Sequence, residues 1–354
     1  MRKLVFTVLV AAILFSGCSL VLNIREMEKV IDEEIVVKPP VLKYSLLDTL
    51  YEIYVANELS PEKWNEYYSD AETSGKEHYK WLIETYGEMS VSMKESISFI
   101  FERVHLWKLM NMSTKLTDEA DINDIVRLFR RSWFDLPTLV RIKLIQLLPE
   151  FYDEHFKEYF EVNRKSFVTL AASLTEEAAE YPNPFEFMEK ATGIDLSGEY
   201  SCMFYFTFRR IGAFGFTYGD IKISTLQRNV DSIGKLFFTP LHEFGHDFFQ
   251  TFTKERDFKD LAEELKEKDS DFYEYWNINA GLKQSYSWVG FCEENLVEGF
   301  AKFLREKYYG ETEHEKSYYH DLDFYKYLKK IDFDPEELSL KEASFNFYDG
   351  VIQN

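Results

Sequence analysis

The sequence predicts a mainly α protein with one small antiparallel sheet, an α+β fold, and three observations carry that expectation. From Tyr44 to about Tyr181, apolar residues recur at three- and four-residue spacing. Between Tyr200 and Leu226 the chain turns aromatic and β-branched and is broken by Gly212, Gly215 and Gly219. Helical periodicity then returns from Pro240 to the end.

Taken in order, the first residues form a leader. Met1-Arg2-Lys3 supplies positive charge, Leu4 to Phe15 is an apolar or weakly polar run, and "FSGC" closes it at Cys18. That is the pattern of a signal peptide over 1–17, too short for a bilayer-spanning helix. Ser19 to Lys43 reads as a tether, with Pro39-Pro40 as an extended stop, so the folded part is expected to begin near Tyr44. Helices follow at "YSLLDTLYEIYVANEL", "EKWNEYYSDAE", "SISFIFERVHLWKLM", "DINDIVRLFRRSWF" and "TLVRIKLIQLLPEFYDEHFKEYF". "YPNP" (Tyr181 to Pro184) ends this helical region, 44–181, and opens a second, 182–354. There, two or three antiparallel strands precede a helix at Pro240, a charged one at "KDLAEELKEKD" and an apolar-periodic one at "EENLVEGFAKFLREKYY".

Of 354 residues, 45% are hydrophobic and 17% aromatic, which is the composition of a folded chain. The net charge is −21, and loss of Arg2 and Lys3 with the leader makes it more negative. Such a chain repels phosphate backbones and anionic lipid, so nucleic acid is excluded as a partner, and membrane contact is expected through a lipid rather than a basic face. Beyond Cys18 two cysteines remain, Cys202 and Cys292. An oxidising compartment permits a disulfide between them, but spacing alone does not show that they meet.

The chemistry concentrates in "TPLHEFGHDFF", Thr239 to Phe249. Thr239 reads as the N-cap and Pro240 as the first helical residue, which puts His242 and His246 on one helix face. Two imidazoles so placed can hold one zinc ion, while Glu243 reaches a water beside it without ligating. A chance HExxH arises in a chain of this size with a probability on the order of 1–2%, so a third ligand is required. "HDFFQTFTKER" offers neither Gly nor His after the pair, which directs the search to a carboxylate on a later helix, where "FCEENLVEGFAKFL" holds Glu293, Glu294 and Glu298.

On these residues the chain resembles the gluzincin branch of zinc metallopeptidases, and "HEFGHDF" with "EENLV" also resembles a family of bacterial HExxH lipoproteins. "FSGC" likewise resembles a lipobox, which implies lipidation of Cys18 and an extracytoplasmic, membrane-anchored protein. The gluzincin resemblance implies a zincin-like catalytic half preceded by the helical half, with zinc (Zn2+) as cofactor. It also implies a His2Glu ligand set and Glu243 as general base in peptide-bond hydrolysis. Two patterns compete for the third ligand. In a thermolysin-like form Glu294 is the ligand and Glu298 orients a ligating histidine; if "VEGFA" matches the "NEGFA" of the M1-type aminopeptidases, Glu298 itself ligates. We place the ligand at Glu294, with Glu298 as the alternative. The segment between His246 and Glu294 reads as a helical insertion.

Tyr286, His314 and His320 are candidates to stabilise an oxyanion, with no choice among them from sequence. The Gly-broken strands offer an edge to which an extended peptide could add. The aromatic bands such as "MFYFTF" read as core, and Glu298 could pair with Lys302 on a solvated helix face. The alternative function is a zincin-fold lipoprotein without turnover that binds peptide or metal, and a further variant directs the hydrolysis at cell-wall peptides. Retention of Glu243 favours catalysis, because a binding module needs no base there.

Overall fold

The computed structural model describes residues 34–58, 73–210 and 212–353. The leader, Cys18, residues 18–33 of the expected tether and the helix expected at "EKWNEYYSDAE" lie outside them. The remainder of the tether is not a linker. Ile35–Lys38 forms strand β1, because its run of β-branched residues suits a strand, with Ile35 and Val37 buried and Val36 and Lys38 half-buried. Pro39-Pro40 then stops the strand, and helix α1 starts at Leu42 (Leu42–Glu58).

The helical half continues with α2 (Thr73–Glu88), α3 (Val91–Phe101), α4 (Leu106–Ser113), α5 (Ile122–Arg131), α6 (Thr138–Phe151) and α7 (Lys157–Ala178). Helix α2 escaped the periodicity reading because two of its buried positions, His78 and Thr85, are polar and flank Leu82. The stretch "SISFIFERVHLWKLM" is two helices rather than one, since His105 leaves the helix and its Nδ1 accepts from Trp107 N at 3.2 Å, capping α4. Asp121 and Asp124 form a capping box at the start of α5. Helix α6 passes into α7 through a π-helical turn, Tyr152–Phe156, just beyond Pro149.

After α8 (Pro184–Thr192) come β2 (Ser201–Phe206), β3 (Gly215–Tyr218) and β4 (Ile221–Leu226). The sheet is mixed rather than antiparallel, in the order β1-β2-β4-β3. β3 and β4 form the one antiparallel pair among the described strands, turning at Gly219 with a φ of 61°. β1 and β4 both run parallel to β2; for β4 this follows because β3 folds onto its far side and leaves β4 beside β2. Helices resume at α9 (Ile233–Leu236), earlier than Pro240. They continue as α10 (Phe238–Glu243), α11 (Gly245–Thr253), α12 (Arg256–Lys268), α13 (Ser270–Ile278), α14 (Ala280–Ser285), α15 (Trp288–Tyr309), α16 (Asp321–Lys330) and α17 (Leu340–Gln353). The segment between His246 and the glutamate helix is thus the rest of α11 followed by helices α12 to α14.

The architecture is mainly α with a small sheet, as the sequence predicts. One continuous apolar core runs from Leu46, Ile100 and Phe129 of the helical half to Phe204, Phe248 and Leu296 of the second. β1 adds a backbone connection between the halves through its pairing with β2. Cys202 and Cys292 carry free thiols: Cys202 Sγ lies against Asn183 Oδ1 at 3.3 Å on β2, and Cys292 is buried on α15. Among the described residues no helix is long and apolar enough to cross a membrane.

Candidate metal centre

The helix bearing the histidine pair begins at Phe238, so Thr239 lies inside its first turn instead of capping it. Pro240 is tolerated there because the first four N–H groups of a helix have no partner within it. Phe244 joins α10 to α11 in helical conformation (φ −74°, ψ −24°), which keeps His242 and His246 on one face with ring centroids 5.2 Å apart. Helix α15 packs against this face. Gly245 makes the approach possible, since a Cβ there would stand 3.1 Å from Val297 Cγ1. Ser287 starts α15, its Oγ accepting from Gly290 N at 3.1 Å.

The packing aims Glu294 between the two imidazoles. His242 Nε2 lies 3.1 Å from Glu294 Oε1 and His246 Nε2 lies 3.5 Å from Glu294 Oε2. One donor atom from each of the three residues falls within 4.8 Å of the other two. The opposite ring nitrogens are held from behind: His242 Nδ1 by Glu298 Oε2 at 2.7 Å, and His246 Nδ1 by Glu293 Oε1 at 2.8 Å. A carboxylate on Nδ1 fixes the tautomer that presents Nε2 as a ligand. Two nitrogens and a carboxylate oxygen converging this way suit zinc, with Glu294 at the third position and Glu298 in the orienting one.

Glu298 does pair with Lys302, but not on a solvated face. Its Oε1 accepts from Lys302 Nζ at 2.7 Å and from Arg305 Nη2 at 3.4 Å, both buried, and from Ser317 Oγ at 3.2 Å. Those cations and the His242 N–H overcome burial and hold the Glu298 carboxyl well below the usual carboxylate range. Burial would push the His242 imidazole down, but Glu294 and Glu298 keep it well above its ordinary value. His246 is raised likewise, against burial, by Glu293 and Glu294. A cation in the site takes the place of these protons.

Glu243, next to His242, joins neither set. Gly215 N donates to its Oε2 at 3.0 Å, and a Cβ at Gly215 would fall 2.9 Å from Glu243 Cβ, so β3 can lie this close only with glycine there. Burial raises the Glu243 carboxyl, the neighbouring histidines lower it, and the net direction is upward. All four residues open onto one cleft of about 970 Å3.

Tyr286 lines this cleft, with its hydroxyl 3.4 Å from that of Tyr318, and Tyr318 supports the ionised Glu294. Neither of the other oxyanion candidates is there. His320 is held between Asp269 (2.8 Å) and Asp323 (3.4 Å), and His314 packs edge-on against Tyr325. Sequence reasoning passed over Tyr318 and the support of His246 by Glu293. It also left the helical half without a role, although Tyr51, His105 and Trp107 line the cleft. No local pattern marks these residues, because each reaches the site from a remote element.

Comparison with protein-family models, with curated proteins and with solved structures finds no match.

Proposed function

We propose that the chain is a zinc-dependent peptidase of gluzincin type, and the observation that carries this is the convergence of His242, His246 and Glu294 with Glu243 beside them but outside the ligand set. Zinc in such a donor set supplies a Lewis acid that lowers the pKa of a water and polarises a carbonyl. Glu243 is the proton acceptor, its Oε2 steadied by Gly215 N and its pKa raised toward the range where a carboxyl both takes and returns a proton. Burial raises the Tyr286 hydroxyl as well, so it stays protonated and can donate to negative charge developing on a substrate oxygen. β3 is the outer strand on the cleft side of the sheet, which leaves an edge for an extended peptide. Trp107 Nε1 already donates to Gly215 O on that edge at 3.1 Å. The leader and Cys18 belong to the same proposal as the secretion signal and lipid anchor of a bacterial membrane protein.

Bound zinc and hydrolysis of a mixed peptide library, measured in the parent and in Glu243→Gln, test this. The expected result is about one zinc per chain in both, with hydrolysis about 10²–10⁴-fold slower in the variant. Equal hydrolysis in both, or a folded parent that takes up no supplied zinc, overturns the reading in favour of a binding protein.

A further inference from the structure

Away from the cleft, exposed apolar residues gather at one place in the helical half. The loop between α5 and α6 holds Trp133 at 67% exposed and Phe134 at 103%. Leu139 and Ile142, three apart on α6, follow at 63% and 39%. The loop is braced rather than slack: the Arg141 guanidinium lies 4.0 Å over the Trp133 ring, and its Nη1 donates to Arg130 O at 3.0 Å. The neighbourhood is also cationic in an acidic molecule. From Arg127 to Lys143 there are five Lys or Arg and one acid, Asp135, in a chain of net charge −21. Arg127 pairs with Asp124, and Arg130 and Arg131 are exposed at the end of α5, just ahead of Ser132 and Trp133.

We infer that the Trp133-Phe134 loop and the exposed face of α6 dock on an anionic lipid surface. Trp is at home at the headgroup level, a fully exposed Phe gains most by entering the acyl boundary, and arginines beside them attract anionic headgroups. The charge of the whole chain does not forbid this, because at physiological salt electrostatic effects fade within about 8 Å and the surface responds to the local cations. A second copy of the chain fits less well, since it brings the same acidic surface. The 16 residue steps from Cys18 to Glu34 span at most about 55 Å, which keeps an anchored chain within reach of its membrane. This face is separate from the metal centre and stands or falls without it.

The test uses the full-length chain reconstituted with vesicles of brominated phosphatidylcholine, with and without phosphatidylglycerol, and compares tryptophan quenching in the parent with Trp133→Phe. The expected result is a quenched component in phosphatidylglycerol vesicles that Trp133→Phe removes and raised salt weakens. Arg130→Glu should weaken the vesicle association of this loop about tenfold or more. Identical quenching in parent and Trp133→Phe, or quenching indifferent to phosphatidylglycerol and to Arg130→Glu, overturns the inference. So does vesicle-free self-association that Phe134→Ser abolishes, which would assign the face to a second copy. All three positions are on the surface, and an unchanged circular dichroism spectrum verifies folding.

Discussion

Two histidine clusters, one buried in the helical half and one half-buried in the second, look alike in composition and differ in what they leave over. In the helical half, His78 is 1% exposed and spends both ring nitrogens inside the protein, Nδ1 on Tyr159 OH at 2.6 Å and Nε2 on Glu52 at 3.0 Å. In the second half, His242 and His246 each commit Nδ1 to a carboxylate, and their Nε2 atoms face a shared glutamate at the floor of a cleft. The first arrangement is closed and serves the fold. The second keeps one nitrogen per ring for a third party, and that surplus, rather than carboxylate proximity, is what metal ligation requires and a structural histidine lacks.

The sharpest way to break this comparison is to separate the two glutamates of α15. Glu298→Ala takes one of two buried carboxylates from Lys302, leaving Asp321, and the nearer of two acids from Arg305, and should cost about 3 kcal/mol of stability, read by urea unfolding of the metal-free chain. Glu294→Ala should leave the fold standing and abolish uptake of one equivalent of zinc. Full stability of Glu298→Ala, or zinc retained by Glu294→Ala, would exchange the roles assigned here.

A smaller effect is expected in the closed cluster. Glu52→Ala leaves His78 Nε2 without its partner in a buried site, a loss of about 1–3 kcal/mol, with zinc content and hydrolysis unchanged. A drop in zinc uptake would mean that the two regions are not independent.

The smallest effect concerns the thiols, both of them in the second half, Cys202 on β2 and Cys292 on α15. Burial pushes Cys202 up to about 12 and Cys292 well above the ordinary thiol value, so little thiolate exists near neutrality. Neither should react with iodoacetamide at about pH 8 until the chain is unfolded. Because the folded value lies above the unfolded one, this contribution to stability is complete below the ordinary thiol value of 9.0 and is lost as pH climbs from there toward about 12. Rapid native-state alkylation of Cys292, two positions before Glu294, would show that α15 opens and that the site is less rigid than its geometry implies.

Much of the helical framework could be read from local periodicity, and its failures have local causes. Helix α2 hid because His78 and Thr85 occupy core positions, and "SISFIFERVHLWKLM" ran two helices together because His105 breaks the backbone without breaking the apolar pattern. The strand at Ile35 reads as tether because four residues carry little signal without their neighbours. Parallel pairing of β2 with β1 and β4 could not be read at all, since strand direction depends on which remote segment lies alongside.

What the sequence by itself determined is the pairing of His242 with His246 and the position of Glu243 beside them, because four-residue spacing on a helix is enforced by hydrogen bonds within that helix. It also narrowed the third donor to α15. Its placement of the ligand at Glu294 rested on resemblance, because residues four apart on α15 share a face and helix periodicity lets either glutamate point at the histidines. Only the tertiary structure decided. The close approach at Gly245 against Val297 sets where α15 sits along α10 and α11, bringing Glu294 between the Nε2 atoms and Glu298 behind His242, where Lys302 and Arg305 hold its other oxygen. Local bonds fix spacing along a helix, while the offset between helices is set by the packing of side chains far apart in the chain.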